Sequence, residues 1–491
     1  MANEIKIYNE NPTVEIKKTR IWINLFNLGK TDSDRKNNWN SYLYTQYQSM
    51  INSYASSYNY IQKLGLRELP KIRGYSSHRN LDSREVFGKE NGGWPEWPTN
   101  SPSPPDSLMD FSNVIFPENI SFAGRLLIGA DFSNATFVGE VDFKGAVFIG
   151  KTTFAGANFM RSESGNSSVQ FQDTVFCDPV DFEGAVLPAN TNLNNTNFKS
   201  SFLFQKVTFE TNNGLVNFKN SVFEEETSFS DTIFDTNTEF SDAIFNYRTS
   251  FDGTVFRKGV YFNNSQFQNS ITFRMTSFGR PPQFFNTSVH ENVNFNGIDW
   301  SGAEYSYSHI HGKTKGHDFI VKEAENAISA WDRLALIMSE QEKPWERHSF
   351  FRLKMRAQRQ IEKNIITRFS NWVFDKTSDY GWSIARSFFY RCLHIFLGTF
   401  SLFIVPYFQD TLGYGDKIWL VLWYSFLASF SNAHSFLRLG SPNGYLEKYV
   451  SNLEPVINEE WLSTVGTFQS ILGPILLFLV LLTLRNRFRI G

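Results

Sequence analysis

The stretch with the most chemistry in its spelling lies near the C-terminus. Residues 410 to 417, DTLGYGDK, contain TLGYGD, close to a filter sequence in which backbone carbonyls replace an ion's water shell. Such carbonyls must sit at the C-terminal end of a short pore helix, between two full spans. Here TLGYGD follows a full-length apolar segment and precedes a short one. The order is wrong for a filter, and the expected role is a turn, with Gly413 and Gly415 serving the bend. A second cluster, YSYSHIHGKTKGHD at 305 to 318, offers His309, His311, His317 and Asp318. HxH followed by HD lacks the spacing of a closed metal site, so a plain connection is expected there. The chain spells no nucleophile elbow, HExxH or phosphate loop, and neither an enzyme nor a cofactor or metal is expected.

Two apolar segments must position whatever the C-terminal region does. SFFYRCLHIFLGTFSLFIVPYF, 387 to 408, and VGTFQSILGPILLFLVLLTL, 465 to 484, are each long enough to cross a hydrocarbon core of ~30 Å. The first follows a segment, Lys343 to Arg368, with eight Lys and Arg against two acids, and the second ends in RNRFRIG. The positive-inside rule then places both flanks, and with them both termini, on the cytoplasmic side of an inner or plasma membrane crossed more than once. The loop at 409 to 464, with six acids and three bases, belongs outside. Within it, 418 to 437 opens with IWLVLWYSFLASF, which is too short for a span and is expected to be re-entrant or interfacial. Arg391 and His394, near one end of the first span, are expected to snorkel to the interface.

Candidate residues follow from that layout. Arg352, Lys354, Arg356 and Arg359 before the first span, and Arg485, Arg487 and Arg489 after the second, are placed to meet anionic headgroups. If the hairpin lines a pore, Ser425, Ser429, Ser431 and Asn432 of the short segment should face water, together with Gln469 and Ser470 beside the Gly473-Pro474 kink.

The remainder of the chain is organised by phenylalanine. Of 50 Phe among 491 residues, 31 lie between Phe111 and Phe295, and an internal period explains them. Phe132, Phe137, Phe143, Phe148, Phe154 and Phe159 are spaced alternately five and six apart, and the alternation resumes at Phe171 and again at Phe218. Two residues before each stands a small or β-branched side chain, such as Ala130, Ala135, Val141 and Ala146, or later Thr227, Thr232 and Thr238. One large and one small inward group per segment describes a narrow solenoid filled by a stacked ladder. Two interruptions, MRSESGNSSVQ after Phe159 and ETNNGLVN after Phe209, are separated by the length of two coils and should project from one edge about 10 Å apart. Tolerated insertion is the plain reading, and a partner-binding edge the sharper one.

This region resembles the pentapeptide-repeat family, A(D/N)LXX in its usual form, with an extra residue in every second segment. The resemblance implies an all-β right-handed quadrilateral β-helix with four segments per coil. Two eleven-residue units would make a coil of 22, and the ladder would hold roughly nine coils in a rod on the order of 40 Å long. The C-terminal hundred residues also resemble the membrane domain of pentapeptide-repeat proteins with a channel-like C-terminus, in YGWSIARSF, SFLASFSNAHSFL and LRNRFRI.

The expected organisation is a polar, partly helical region at 1–87, a Pro/Gly/Ser linker at 88–110 and the solenoid at 111–305. A basic helical connector at 306–386 and a membrane domain at 387–491 complete it. The expected function is a membrane-anchored solenoid that binds an unidentified protein partner. A channel-like homo-oligomer regulated by the solenoid is the alternative. Some soluble family members mimic DNA and bind a topoisomerase. Here 21 acids against 12 bases from Phe111 to Tyr305 make only a modest acidic surface, and no nucleic-acid partner is expected. Cys177 and Cys392 stand far apart in sequence and suggest neither a disulfide framework nor a metal site.

Overall fold

In the computed structural model the described residues are 31, 33–37, 39–40, 43, 109–116, 119–159, 168–210, 214–307, 317–409, 418–434 and 459–489. The expected helix through Leu43 to Ile61, the linker up to 108, TLGYGD and both histidines of HxH lie outside them, apart from Leu43 itself. The chain forms two compact units, 1–337 and 338–491.

In the first unit, 32 short strands run from β1 (Met109–Asp110) to β32 (Val293–Asn294). Among the described residues they pair in parallel and form four sheets of nine, eight, seven and eight strands, each strand hydrogen-bonded to the fourth along the chain except at the last turn, where β28 pairs with β31 and β29 with β32. This is a quadrilateral β-solenoid. Its nine-stranded face encloses about eight turns, one fewer than a count of ladder levels suggests, because nine levels bound eight steps. Thr227 pairs with Thr249 and Thr249 with Ile271, a step of 22 residues.

The sequence forms this coil because each face needs one ring inward and each corner needs a tight turn. Phe218, Phe240 and Phe262 stack with centroids 4.8 and 5.1 Å apart and planes 7° and 6° from parallel. The neighbouring columns meet them edge-on, as Phe229 meets Phe240 at 78°, the two arrangements aromatic rings prefer. The small position carries Thr or Ser where a hydroxyl can be satisfied. Thr174, Thr254 and Thr276 donate to the carbonyls of Phe143, Phe229 and Phe251 one coil earlier, at 2.9, 2.8 and 2.8 Å. Alternate corners adopt the left-handed conformation, which explains Asn134, Asp173, Asn195 and Asp242 there, and Gly145 and Gly253, residue types that tolerate positive φ. Phe202 breaks the rule by placing a ring where other coils have Thr227 or Thr249. There the column from Phe182 to Phe204 tilts to 52°. The adjoining coil carries Leu187 and Leu193 at ladder positions, so the extra ring restores lost volume.

Both interruptions fall at one corner, as expected. The first lies between β10 (Asn158–Phe159) and β11 (Ser168–Gln170), and the second between β18 (Thr208–Phe209) and β19 (Leu215–Asn217). Each joins the same two faces, two turns apart.

The solenoid's ends are covered. At the first turn Asn40 accepts from Leu126 N at 2.9 Å and donates to Gly124 O at 3.0 Å, while the indole of Trp39 donates to Leu126 O. At the last, α1 (Ser301–Tyr305) and α2 (His317–Glu340) follow. Trp300 stacks on Phe278 and meets Trp331 edge-on. Arg333 donates to Thr287 O at 2.7 Å and Phe284 O at 3.2 Å. Open strand edges invite pairing with other chains, and these contacts occupy part of both.

The second unit is helical, with α3 (Pro344–Ile361), α4 (Ile365–Ser378), α5 (Ile384–Gln409), α6 (Ile418–Ala433) and α7 (Glu459–Arg489). Pro344 starts α3 and Asn364 caps α4, accepting from Ile366 N at 2.9 Å. Ile384–Ile404 and Thr464–Asn486 are long and apolar enough to cross a membrane, within a few residues of the expected spans. The helices α5, α6 and α7 pack on one another.

Candidate functional site

Small residues let the three apolar helices approach and leave room for polar groups between them. A Cβ on Gly398 would lie 1.6 Å from Gln469 Nε2 and 2.6 Å from Ser429 Oγ, and one on Gly473 would lie 2.4 Å from the carbonyl oxygen of Ala433. Across this seam Gln469 Nε2 donates to Ser429 Oγ at 2.6 Å, and Ser429 donates to Ile395 O at 2.7 Å. Helical spacing brings them there. Ser425, Ser429 and Ala433 fall on one face of α6, and Gly466, Gln469 and Gly473 on one face of α7.

Arg391 lies at the end of this seam. It is buried, and its guanidinium donates to Ala433 O at 2.9 Å and also to Gly473 O. Ala433 is the last residue of α6, whose terminal carbonyls lack helical partners and carry partial negative charge. Gly473 precedes Pro474, which has no N–H to give the preceding turn. One side chain thus ties the end of α6 to the Gly473–Pro474 step of α7. Arg391, which the sequence allows to snorkel to the interface, places both terminal nitrogens on carbonyls inside the bundle. Gln469 Oε1 and both ring nitrogens of His394 are buried without a hydrogen-bond partner among the described residues.

Of the six candidate pore residues, Ser425, Ser429 and Gln469 are buried in the seam, and Asn432 and Ser470 are half-buried. Ser470 donates to Thr467 O at 2.8 Å within its own helix. The side chains of Ser431, Arg487 and Arg489 lie outside the described residues, and Arg485 is exposed.

The arginines of α3 have a specific geometry. Arg352 Nη1 lies 2.7 Å from Asp379, Arg356 bridges Asp375 at 3.2 Å and Asp379 at 2.8 Å, and Arg359 lies 2.9 Å from Asp375. These three, expected on headgroups, face the acids at the end of α4, while Lys354 is half-buried on the same helix. The turn that follows holds Asp379, Tyr380 and Gly381 all at positive φ, 51°, 54° and 82°, a conformation costly for the first two. Asn486, at the end of the second apolar stretch, donates to Gly381 O at 3.2 Å. Burial, then Asp375, pushes the Tyr380 hydroxyl up to about 12. His348 stacks on Trp382, with centroids 5.1 Å apart. Burial, then the Arg352 charge, lowers its pKa. Sequence reading missed Asp375 and Asp379, whose spacing of four near a basic helix was the available signal.

In the solenoid, Cys177 is buried, and burial followed by Asp178 raises its thiol pKa far above the usual range; an inert thiol results.

With strand pairing, ring columns and corner conformations established, the comparison with known proteins is informative. Residues 127–162 and 213–255 match the family model for pentapeptide repeats, nine copies. Those two stretches of the solenoid are pentapeptide repeats. Neither a curated protein nor a solved structure matches the chain. The pentapeptide-repeat match concerns the first unit only, so the second unit must be read from its own geometry.

Proposed function

We propose that this is a multi-pass inner- or plasma-membrane protein whose cytoplasmic pentapeptide-repeat solenoid is a non-catalytic binding platform, anchored by the C-terminal helical hairpin. The observation that carries the anchor is the seam itself. Ser429, Gln469 and Arg391, the groups best placed to line a polar path, are joined to one another's helices within one chain. Inter-helix hydrogen bonds of this kind hold apolar helices together in lipid, where apolar burial does not. The platform follows from the ring columns. They fill the interior, leaving the outer faces and the corner with the two insertions for binding a protein partner.

The test is topological. In spheroplasts carrying the chain without its native cysteines, Asn452→Cys should react with a membrane-impermeant thiol reagent, and Glu225→Cys, exposed on the solenoid, only after lysis. Labelling of Glu225→Cys in intact spheroplasts would reverse the orientation, and labelling of both sites would remove the membrane.

A second reading, a channel-like homo-oligomer, is favoured by the partnerless Gln469 Oε1 and His394 nitrogens, because a neighbouring copy or a water path would satisfy them. It requires more than one subunit in detergent and an ion flux in liposomes that changes with Gln469→Leu.

A further inference from the structure

The helix α4 leaves an apolar stripe uncovered. Ile365, Ile366, Phe369 and Trp372 follow one another at helical spacing along one side and are 82%, 76%, 61% and 46% exposed. In the last turn Asp375 is buried against Arg356 and Arg359. A helix in water hides its apolar stripe and exposes its charges. Here the apolar stripe is open, while Asp375 is hidden and Arg368 and Lys376 are exposed.

Three observations say what covers that stripe. First, the turn from Ser378 to Ser383 ties α4 directly to the start of α5. Trp382 N and Ser383 N both donate to Ser378 O at 2.9 Å, and Asn486 of α7 holds Gly381. The end of α4 is therefore fixed beside one end of each apolar helix. Second, exposed Phe388, Phe389 and Phe396 continue the apolar surface along α5. Third, exposed Lys363 and Lys376 flank the stripe, as cations flank helices that lie in an anionic interface. Trp372 stacks on Phe369, with centroids 5.9 Å apart, and indole is a side chain of the headgroup level.

We propose that α4 is an interfacial helix, with its Ile365–Ile366–Phe369–Trp372 face in the headgroup–acyl boundary and its Asp375 end clamped by α3. This rests on the membrane reading given above. It makes α3 and α4 the mechanical link to the bilayer. A pull transmitted through α3 reaches the ends of both apolar helices through the Arg–Asp clamp instead of through a slack tether.

The experiment uses the full chain without Cys177 and Cys392, reconstituted in vesicles of roughly 3:1 phosphatidylethanolamine to phosphatidylglycerol, so that an anionic surface is present. Single cysteines replace Ile366, Phe369, Phe396 or Glu225 and carry a bimane fluorophore. At 366 and 369, lipids brominated near the headgroup should quench more than lipids brominated near the chain end. Iodide quenching there should be at least about threefold weaker than at Glu225→Cys, as expected for a face some 5–10 Å below the surface. The Phe396 site should be quenched most by the deeper bromines. If the Phe396 site behaves so but 366 and 369 respond to iodide like Glu225→Cys, the interfacial helix is refuted and the membrane reading stands. If 366 and 369 are shielded from both quenchers, a second copy or another protein surface covers the stripe, and the proposal is equally refuted. If the Phe396 site is insensitive to every brominated lipid, the membrane reading falls and takes the interfacial helix with it.

Discussion

Phe240→Ala should open the middle of the solenoid while leaving its ends closed. Phe240 is fully buried and stacked between Phe218 and Phe262, with Phe229 and Phe251 edge-on at 5.2 and 5.5 Å. Truncating a buried Phe costs about 3–5 kcal/mol. The upper part of that range is expected, because six ring contacts are lost, those to Phe234 and Phe245 included, and the coils above and below are hydrogen-bonded rungs that cannot collapse into the gap. At about 1.4 kcal/mol per decade, the local opening equilibrium should rise by roughly two to three and a half orders of magnitude. Repeat arrays transmit such a loss mainly to neighbouring repeats. Hydrogen exchange of the full chain in detergent should therefore show the loss at the amides of Phe218, Phe240 and Phe262, which donate to the next coil at 2.7 Å each. Protection around Phe132 should be little changed. Unchanged exchange around Phe240 would mean that the columns do not hold the coils together. Uniform loss from Phe132 to Phe273 would refute the local character of the coupling.

The remaining expectations concern the helical unit. Gly398→Leu must displace Gln469 and should destabilise the detergent-solubilised chain by about 1–3 kcal/mol for overpacking, read as a lower melting point, whereas Leu397→Ala on the exposed side should change it little. Asp379→Asn leaves Arg352 and Arg356 short of an acceptor. The cost should be about 2–3 kcal/mol, below the 3–5 of a fully buried pair, because the arginine side chains keep about a fifth of their surface in water. The folded His348 has a lowered pKa, so the stability it confers is present above its unfolded value of about 6.5 and is lost as pH falls through the lower folded value. A melting series from about pH 7.5 to 5 should show that loss, and His348→Gln should flatten it; equal slopes would exclude His348 as the source.

What was legible in the sequence was what repeats. The alternation of five and six between aromatics specified the ring columns, the small partner positions and the corner shared by both insertions, because each coil sees the same surroundings as the next. Phe202 was legible only as a violation, and its purpose required the two leucines of the adjoining coil. The partners of Asn40, Arg333 and Arg391 were not legible at all. Each satisfies carbonyls left over at the end of an element, and which element ends beside which is a matter of tertiary placement. The same holds for Arg352, Arg356 and Arg359. A basic run beside an apolar segment looks the same whether its charges meet lipid phosphates or two aspartates one helix away.

The two units obey one rule of polar satisfaction in opposite senses. In the solenoid, rings fill the interior, and the buried Thr174, Thr254 and Thr276 each have a carbonyl to bond. In the helical unit Arg391, Ser429, Gln469 and Asp375 are inside, while Phe396, Phe400, Phe478 and the stripe of α4 are outside. A buried guanidinium bonded only to carbonyls would be poorly rewarded in water, where those carbonyls and the cation could each be solvated. Against hydrocarbon the comparison changes, since an unsatisfied helix end has no solvent to turn to. Arg391 is then the group that lets α6 end inside the bundle without stranding the Ala433 carbonyl, and it ties that end to the Gly473 carbonyl of α7. The exposed aromatics and the buried arginine are therefore both accounted for by the membrane reading proposed above, and neither observation requires the pentapeptide repeats to say so.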